Sequence, residues 1–130
     1  MDGERRGTPD PAEQALDQVR RICLHLPEVT ERLSHGAPTF FVWKTFVMFH
    51  DDHHGDGILG LWCAAAPGVQ AELLRAEPDR FYRPAYVGHR GWIGVRLDVD
   101  VDWEEVAEIC ADAYRCVAPK TLVARLDDEG

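Results

Sequence analysis

The spacing of apolar residues gives the chain helical ends and a β-rich middle. Near the N-terminus, Val19, Cys23 and Leu26 recur at intervals of three or four, which places them on one face of a helix. Asp10 is suited to cap this helix, and Pro27 disfavours its continuation. The pattern therefore predicts a first helix with one buried face, beginning just after Asp10.

From residue 30 the period changes to that of β-structure. Apolar runs rich in aromatic and β-branched residues alternate with polar or glycine-bearing breaks, of which the clearest are Lys44-Thr45 and the loop 51–57. Such runs are typical of an antiparallel meander. The predicted strands cover residues 31–35, 39–43, 46–50 and 58–63.

The remaining pattern predicts a second helix over residues 67–77, strands over 80–83 and 92–98, and a last helix between Asp102 and Pro119. This order indicates an α+β fold: a two-layer sandwich of one antiparallel sheet with three helices mainly on one face. We expect a single domain over residues 11–122. A disordered N-terminal tail, residues 1–10, and a polar C-terminal tail, residues 123–130, would flank it.

Charge and cysteine content narrow the class of protein. The chain has 14 basic and 23 acidic residues, a net charge of −9, which repels polyanions unless its positive groups gather on one face. No run approaches the roughly 20 apolar residues of a membrane span, and no leader pattern begins the chain. The four cysteines lack a Cys-x-x-Cys pair. We therefore expect a cytoplasmic protein with reduced core thiols, not a membrane protein.

One segment departs from this acidic average. Residues 80–96 hold four arginines and no acid, interleaved with aromatic residues, a composition suited to binding phosphates and stacking flat rings. The alternative is a solvated loop whose arginines pair with the surplus acids. Lys44 and Lys120 are candidate extensions of this basic patch. The candidate nucleic-acid contacts are thus Arg80, Arg83, Arg90, Trp92, Arg96, Lys44 and Lys120.

Period-two geometry adds a candidate groove. If Ile93, Val95 and Leu97 face the helices, then Trp92 and Arg96 face the other way around a gap at Gly94. Trp62 is expected on the same helix-free face, and His35 is a candidate polar residue of the site. Aromatic residues there indicate a ligand groove, a dimer interface or a cluster shielded by loops. The groove candidates are therefore Trp62, Trp92 and His35.

Metal binding and catalysis receive little support. The loop that follows His50 offers His53 and His54 with neighbouring aspartates, but a solvated hairpin tip explains these residues equally well. The acids around Asp102 are accounted for by helix capping. No nucleotide-loop, nucleophile-elbow or zinc-protease motif is present. We predict no catalytic residue, no metal site and no cofactor.

Several short motifs, in this order, resemble the YjbR/MmcQ family over about residues 16–120. The resemblance implies a two-layer fold like that of the frataxin homologue CyaY or of secretion chaperones, and a predicted DNA-binding role through a "double-wing" motif. Two motifs differ from the family pattern. The family's Asn-Lys-x-His-Trp corresponds here to residues 88–92, of which only the tryptophan matches. The family's Ser-Tyr corresponds to Ala113-Tyr114. The motifs are Ser34-His35-Gly36-Ala37-Pro38-Thr39-Phe40, Lys44, Gly91-Trp92-Ile93-Gly94-Val95, Tyr114 and Ala118-Pro119-Lys120.

Together, the residues and the resemblance predict a binding module, monomeric or homodimeric, with DNA or another nucleic acid as its partner. Two other classes stay open. One is a nucleotide-like small-molecule binder or enzyme that uses the aromatic sheet face, and the other is a protein-interaction adaptor. Steep salt dependence would distinguish polyanion binding from both.

Overall fold

The computed structural model describes residues 10–51 and 58–129, which form four helices and one sheet. We number these elements in chain order. The helices are α1 (Pro11–Leu24), α2 (Val69–Ala76), α3 (Trp103–Val117) and α4 (Lys120–Glu129), and a single 3₁₀ turn covers Gly88–Arg90. The strands are β1 (Thr30–Ser34), β2 (Ala37–Val42), β3 (Lys44–Asp51), β4 (Leu59–Cys63), β5 (Phe81–Tyr82) and β6 (Ile93–Arg96).

The six strands form one antiparallel sheet in the order β1-β2-β3-β4-β6-β5. The first four strands are a meander, as the apolar runs predicted. β6 then pairs with β4, and the two-residue β5 lies at the sheet edge. This edge position suits a strand that is followed by Pro84, since proline donates no hydrogen bond to a neighbouring strand. The predicted α+β class with a single antiparallel sheet is confirmed.

Caps and prolines fix the ends of the longer helices as the sequence predicted. The Asp10 carboxylate accepts a hydrogen bond from the Glu13 backbone N–H at 3.0 Å, and Pro11 occupies the first turn of α1. Asp102 accepts from the backbone N–H groups of residues 104 and 105 at the start of α3. Each bond satisfies a donor that the first helical turn leaves unpaired.

A fourth helix corrects the prediction of three. The chain turns extended at Ala118, but Pro119 then accepts backbone hydrogen bonds from Leu122 and Val123 and a new helix begins. The half-buried side chains of Leu122, Val123 and Leu126 pack against the core. Pro119 thus separates two helices, and the segment expected to be a polar tail after residue 122 is helical to residue 129.

The β2–β3 connection also differs from the predicted break at Lys44-Thr45. In the structure Val42 pairs with Lys44, so the turn is centred on Trp43, whose φ is 70°. Residues with a β-carbon rarely adopt a positive φ, so this turn is an unfavourable place for tryptophan. Trp43 is also 82% exposed to solvent.

The core lies between the sheet and the helices, where Ile93, Val95 and Leu97 are buried as predicted. Three cysteine thiols meet there: Cys110 lies in hydrogen-bonding contact with Cys23 and Cys63, and all three are fully buried. Burial raises the pKa of the Cys23 and Cys63 thiols well above the ordinary value, so both are protonated near neutral pH. These residues belong to the packed core.

The helices of the described ranges are all too short or too polar to cross a membrane.

Candidate ligand site on the helix-free face

Among the described residues, one face of the sheet carries no α-helix, and its side chains form a row across all six strands. The register of each antiparallel pair places directly opposite residues on the same face. Starting from β1 and ending at β5, the row is Arg32, Thr39, Met48, Trp62, Gly94 and Tyr82.

Tyr82 fills the glycine gap that the sequence predicted on this face. A β-carbon at Gly94 would lie 2.5 Å from the Tyr82 ring, and one at Gly60 would lie 2.0 Å from its hydroxyl. Neither position has room for a side chain, so the tyrosine ring lies flat on the backbone of β4 and β6. Its hydroxyl accepts a hydrogen bond from Trp62 Nε1 at 3.0 Å. Tyr82 therefore fixes the orientation of Trp62.

Next to this cluster lies a pocket of about 420 Å³. The buried rings of His50 and Trp62, stacked at a centroid distance of 3.6 Å, contribute to its lining. Tyr86, which is 72% exposed, belongs to the segment between β5 and the 3₁₀ turn. The pocket is thus aromatic and largely apolar. Its full lining is Ser34, His35, Met48, His50, Trp62, Tyr86 and Val87.

The hairpin between β1 and β2 places His35 at the pocket. Ser34 pairs with Ala37, so the turn consists of His35 and Gly36, with φ values of 53° and 82°. Two positive φ values in succession are typical of the type I′ turn that joins two-residue hairpins. The predicted groove residues Trp62 and His35 are therefore brought together.

Positive charge and further aromatic surface lie beside the pocket. Arg32 is two residues from Ser34 on the same face of β1, a separation of roughly 7 Å along a strand. Its guanidinium lies 4.1 Å from the centroid of the Phe41 ring. Past Phe41, the hairpin tip presents the exposed side chains of Trp43 and Lys44. Arg32, Phe41 and Trp43 were not predicted from the sequence, in which Trp43-Lys44 was the one readable signal of an aromatic residue next to a cation.

Two of the four predicted arginines are paired with acids of the same chain. Arg80 makes ion pairs with Glu77, at 2.7 Å, and with Glu105 of α3. Arg96 is held by both carboxylate oxygens of Asp98, at 3.0 and 2.8 Å. Asp98 correspondingly has a pKa below its ordinary value, because Arg96 donates hydrogen bonds to its ionised form. For these two arginines the alternative, pairing with surplus acids, is the observed arrangement.

Arg83 and Arg90 make no ion pair within the described parts of the chain, and both are exposed. The side chain of Arg83 lies against Gly88, where a β-carbon would approach it to 2.6 Å. Arg90 lies over the Trp92 ring at 5.2 Å. Trp92, which was expected to face outward, is 4% exposed and packs among the buried apolar residues, and it does not line the pocket described above.

The two predicted lysines lie on different elements. Lys44 is the first residue of β3, whereas Lys120 begins α4, which an Arg115–Asp127 ion pair ties to α3. Lys120 therefore belongs to the helical part of the molecule. Of the histidine loop, His50 lies in the structure, and His53 and His54 fall outside the described residues. Within the described ranges, no three His, Cys, Asp or Glu residues are arranged to hold a metal ion.

Comparison with known family models identifies the central part of this fold. The YjbR family model matches residues 24–116, which is more than half of the chain. The chain belongs to the YjbR family. The match includes every residue of the helix-free face named above, and it excludes α4 and nearly all of α1. The family resemblance predicted from the short motifs is thus confirmed.

A solved structure shares the fold of this YjbR domain. It is the crystal structure of the Deinococcus radiodurans protein DR2400, described by the family-model domain DUF419. The two share 24% sequence identity, the alignment covers 78% of this chain and 77% of that chain, and the TM-score is 0.63. No curated protein matches the chain.

Proposed function

We propose that this YjbR chain is a binding module for single-stranded nucleic acid, with the ligand on the helix-free face and one base in the pocket. One observation carries the proposal: an aromatic pocket of about 420 Å³ lies directly beside Arg32 and Phe41. This site replaces the four-arginine surface that the sequence suggested, because Arg80 and Arg96 form ion pairs with acids of the same chain.

The pocket suits a flat ring. Its volume falls within the range of about 300–1,000 Å³ that is usual for small-ligand sites. The exposed Tyr86 ring offers a stacking surface at its edge, and stacking on an aromatic side chain is worth roughly 1–3 kcal/mol per base. Because bases in a regular duplex are already stacked and paired, a single strand meets this pocket at lower cost.

The charge beside the pocket suits a phosphate. Arg32 is exposed, and it makes no ion pair with an acid in the described parts of the chain. Lys44, further along the same hairpin, pairs with the buried Val42 and so lies on the other face of the sheet. Since the whole chain carries −9, attraction is confined to this surface. Affinity is therefore modest and strongly dependent on salt.

A nucleotide-like small molecule is the second candidate, because the same concave pocket would hold one base without a strand. The exposed Trp43 favours the strand over the small molecule. It adds a second stacking ring outside the pocket, which serves a ligand longer than one nucleotide.

The test compares labelled dT12, rU12, a 12-base-pair DNA duplex and thymidine monophosphate by fluorescence anisotropy and competition at 30 and 150 mM salt. The variants are Arg32→Gln, Trp43→Ser and, as a charge-matched control on α1, Arg21→Gln. We expect dT12 to bind the wild type best, and Arg32→Gln to reduce the salt slope by about one. Arg21→Gln should change neither.

Each result decides between the candidates. A loss of dT12 affinity in both Arg32→Gln and Trp43→Ser supports strand binding, and the dT12 to rU12 ratio reports the preference for DNA. Thymidine monophosphate binding that equals dT12 binding and ignores Trp43→Ser would replace the strand with a small molecule. No binding at 30 mM salt, or equal effects of Arg32→Gln and Arg21→Gln, would remove nucleic acid as the partner.

A further inference from the structure

On the opposite side of the sheet, a second concave surface lies between α2 and α3. This groove of about 560 Å³ is larger than the pocket on the helix-free face. Its apolar lining comes from α2, α3, β5, β6 and the segment after β4. Those residues are Ala64, Ala65, Ala66, Val69, Leu73, Phe81, Ile93, Ile109 and Cys116.

The groove exists because α2 is incompletely covered. No residue of α2 is buried, although Val69 and Leu73 are apolar and line the groove. The small side chains of Ala64–Ala66 leave space where larger ones would fill the gap. Gln70, at the start of α2, anchors the helix by donating to the carbonyls of Gly88 and Trp92 at 2.8 and 2.6 Å. The helix is thus held in place with part of its apolar stripe uncovered.

The α3 wall of the groove is acidic. Glu105, Glu108 and Asp112 recur at three- and four-residue intervals, so they follow one stripe of the helix over roughly 10 Å. Glu105 pairs with Arg80, and Asp112 pairs with Arg115 at 3.1 Å. Glu108 is exposed and makes no ion pair with any residue of the described ranges. Arg115 also lines the groove, so among the described residues the wall keeps one unpaired carboxylate, that of Glu108, beside the apolar floor.

We infer that this groove is a docking site for a cationic amphipathic helix of a partner protein. The partner's apolar residues would enter between Val69, Leu73 and Ile109, and a Lys or Arg beside them would meet Glu108. Amphipathic helices commonly bind in this way, with anchors spaced three or four residues apart. An amphipathic helix matches this surface because it presents an apolar face with a cation at its edge, whereas a small cation would leave the apolar floor uncovered.

The experiment uses a blocked 14-residue probe peptide with leucine on one helical face and lysine on the other, and a second peptide with glutamate in place of lysine. Affinity is measured by calorimetry with the full chain. Glu108→Lys tests the acidic wall. Asp17→Lys, an exposed change of equal charge on α1, is the matched control. Location is read from the maleimide reactivity of Cys116, since the other three cysteines are buried.

We expect the lysine peptide to bind and to slow the modification of Cys116. Glu108→Lys should weaken binding by about tenfold, and Asp17→Lys by less than about twofold. Equal binding of the glutamate peptide, equal loss in both variants, or unchanged Cys116 reactivity would overturn the inference. Oligonucleotide binding by Glu108→Lys should equal that of Asp17→Lys, so this outcome is independent of the proposed function.

Discussion

Both faces of the sheet bury side chains, but different interactions hold those side chains in place. On the helix-covered face, Phe40, Val47, Cys63 and Ile93 form a cross-strand row of apolar residues that the helices cover. The helix-free face instead combines the buried polar residues Thr39 and His50 with Trp62 and a tyrosine that lies on two glycines.

This difference shows at which positions of the sheet one particular residue is required. Apolar packing on the covered face depends on volume, so residues of similar size are interchangeable there. On the helix-free face, Gly60, Gly94 and the Tyr82 hydroxyl are each required by a particular contact. Such positional requirements are what a preorganised binding surface needs.

The largest expected effect is on the covered face. Phe46→Ala removes a fully buried ring that meets Tyr114 edge to face at a centroid distance of 5.7 Å. We expect it to lower the free energy of unfolding by about 3–5 kcal/mol, through lost burial and a residual cavity. Urea denaturation followed by circular dichroism measures the change. A loss below about 1 kcal/mol would mean that this face repacks freely.

A glycine substitution gives the next largest effect, on the helix-free face. Gly94→Ala adds a β-carbon that collides with the Tyr82 ring, and we expect a loss of about 1–3 kcal/mol in stability. In a Tyr82→Ala background the collision is absent, so the same change should cost much less. Denaturation of the double-mutant set measures this coupling. Equal costs in both backgrounds would contradict the packing described here.

Tyr82→Phe sharpens the comparison by keeping the ring and removing the hydroxyl. The Trp62 indole loses an acceptor at 3.0 Å, and we expect a cost of about 1 kcal/mol. The Trp62 indole N–H resonance should also shift in a ¹⁵N–¹H spectrum. An unmoved resonance would show that this hydrogen bond does not orient the indole.

The smallest effect concerns the Arg96–Asp98 ion pair. Because the pKa of Asp98 is lowered in the folded state, the pair stabilises the fold above the ordinary aspartate pKa of 3.8, and that stabilisation is lost as the pH falls through the lower folded value. Both side chains are about one-third exposed, so Arg96→Gln should cost less than about 1 kcal/mol at pH 7.

Stability of wild type and Arg96→Gln, measured by urea denaturation between pH 7 and pH 2.5, checks this prediction. The two curves should differ at neutral pH and converge in acid, and Asp98→Asn should behave in the same way. A difference that grows in acid would contradict the assigned sign.

Much of the fold followed from local rules that the sequence carries. Asp10 and Asp102 begin helices because their carboxylates satisfy free backbone donors, and the period-two runs give a meander. The fourth helix was not predicted, because Pro119 ends α3 and nothing in the sequence indicated that it also precedes a new helix. The β2–β3 turn was misplaced because no sequence rule favours a positive φ at Trp43.

The candidate site was only partly predictable, for a physical reason. Trp62, His35 and the family membership were accessible from residue order, alternation and short motifs. The sequence by itself thus determined the element order as far as α3, the caps of α1 and α3, and which residues of β6 face the helices, since these depend on neighbours a few positions apart. The tertiary structure alone decided that Arg80 pairs with Glu105 of α3, that Tyr82 fills the glycine gap, and that Arg32 lies beside the pocket. Each of these depends on a partner chosen by strand register or helix packing, and local spacing does not encode that choice.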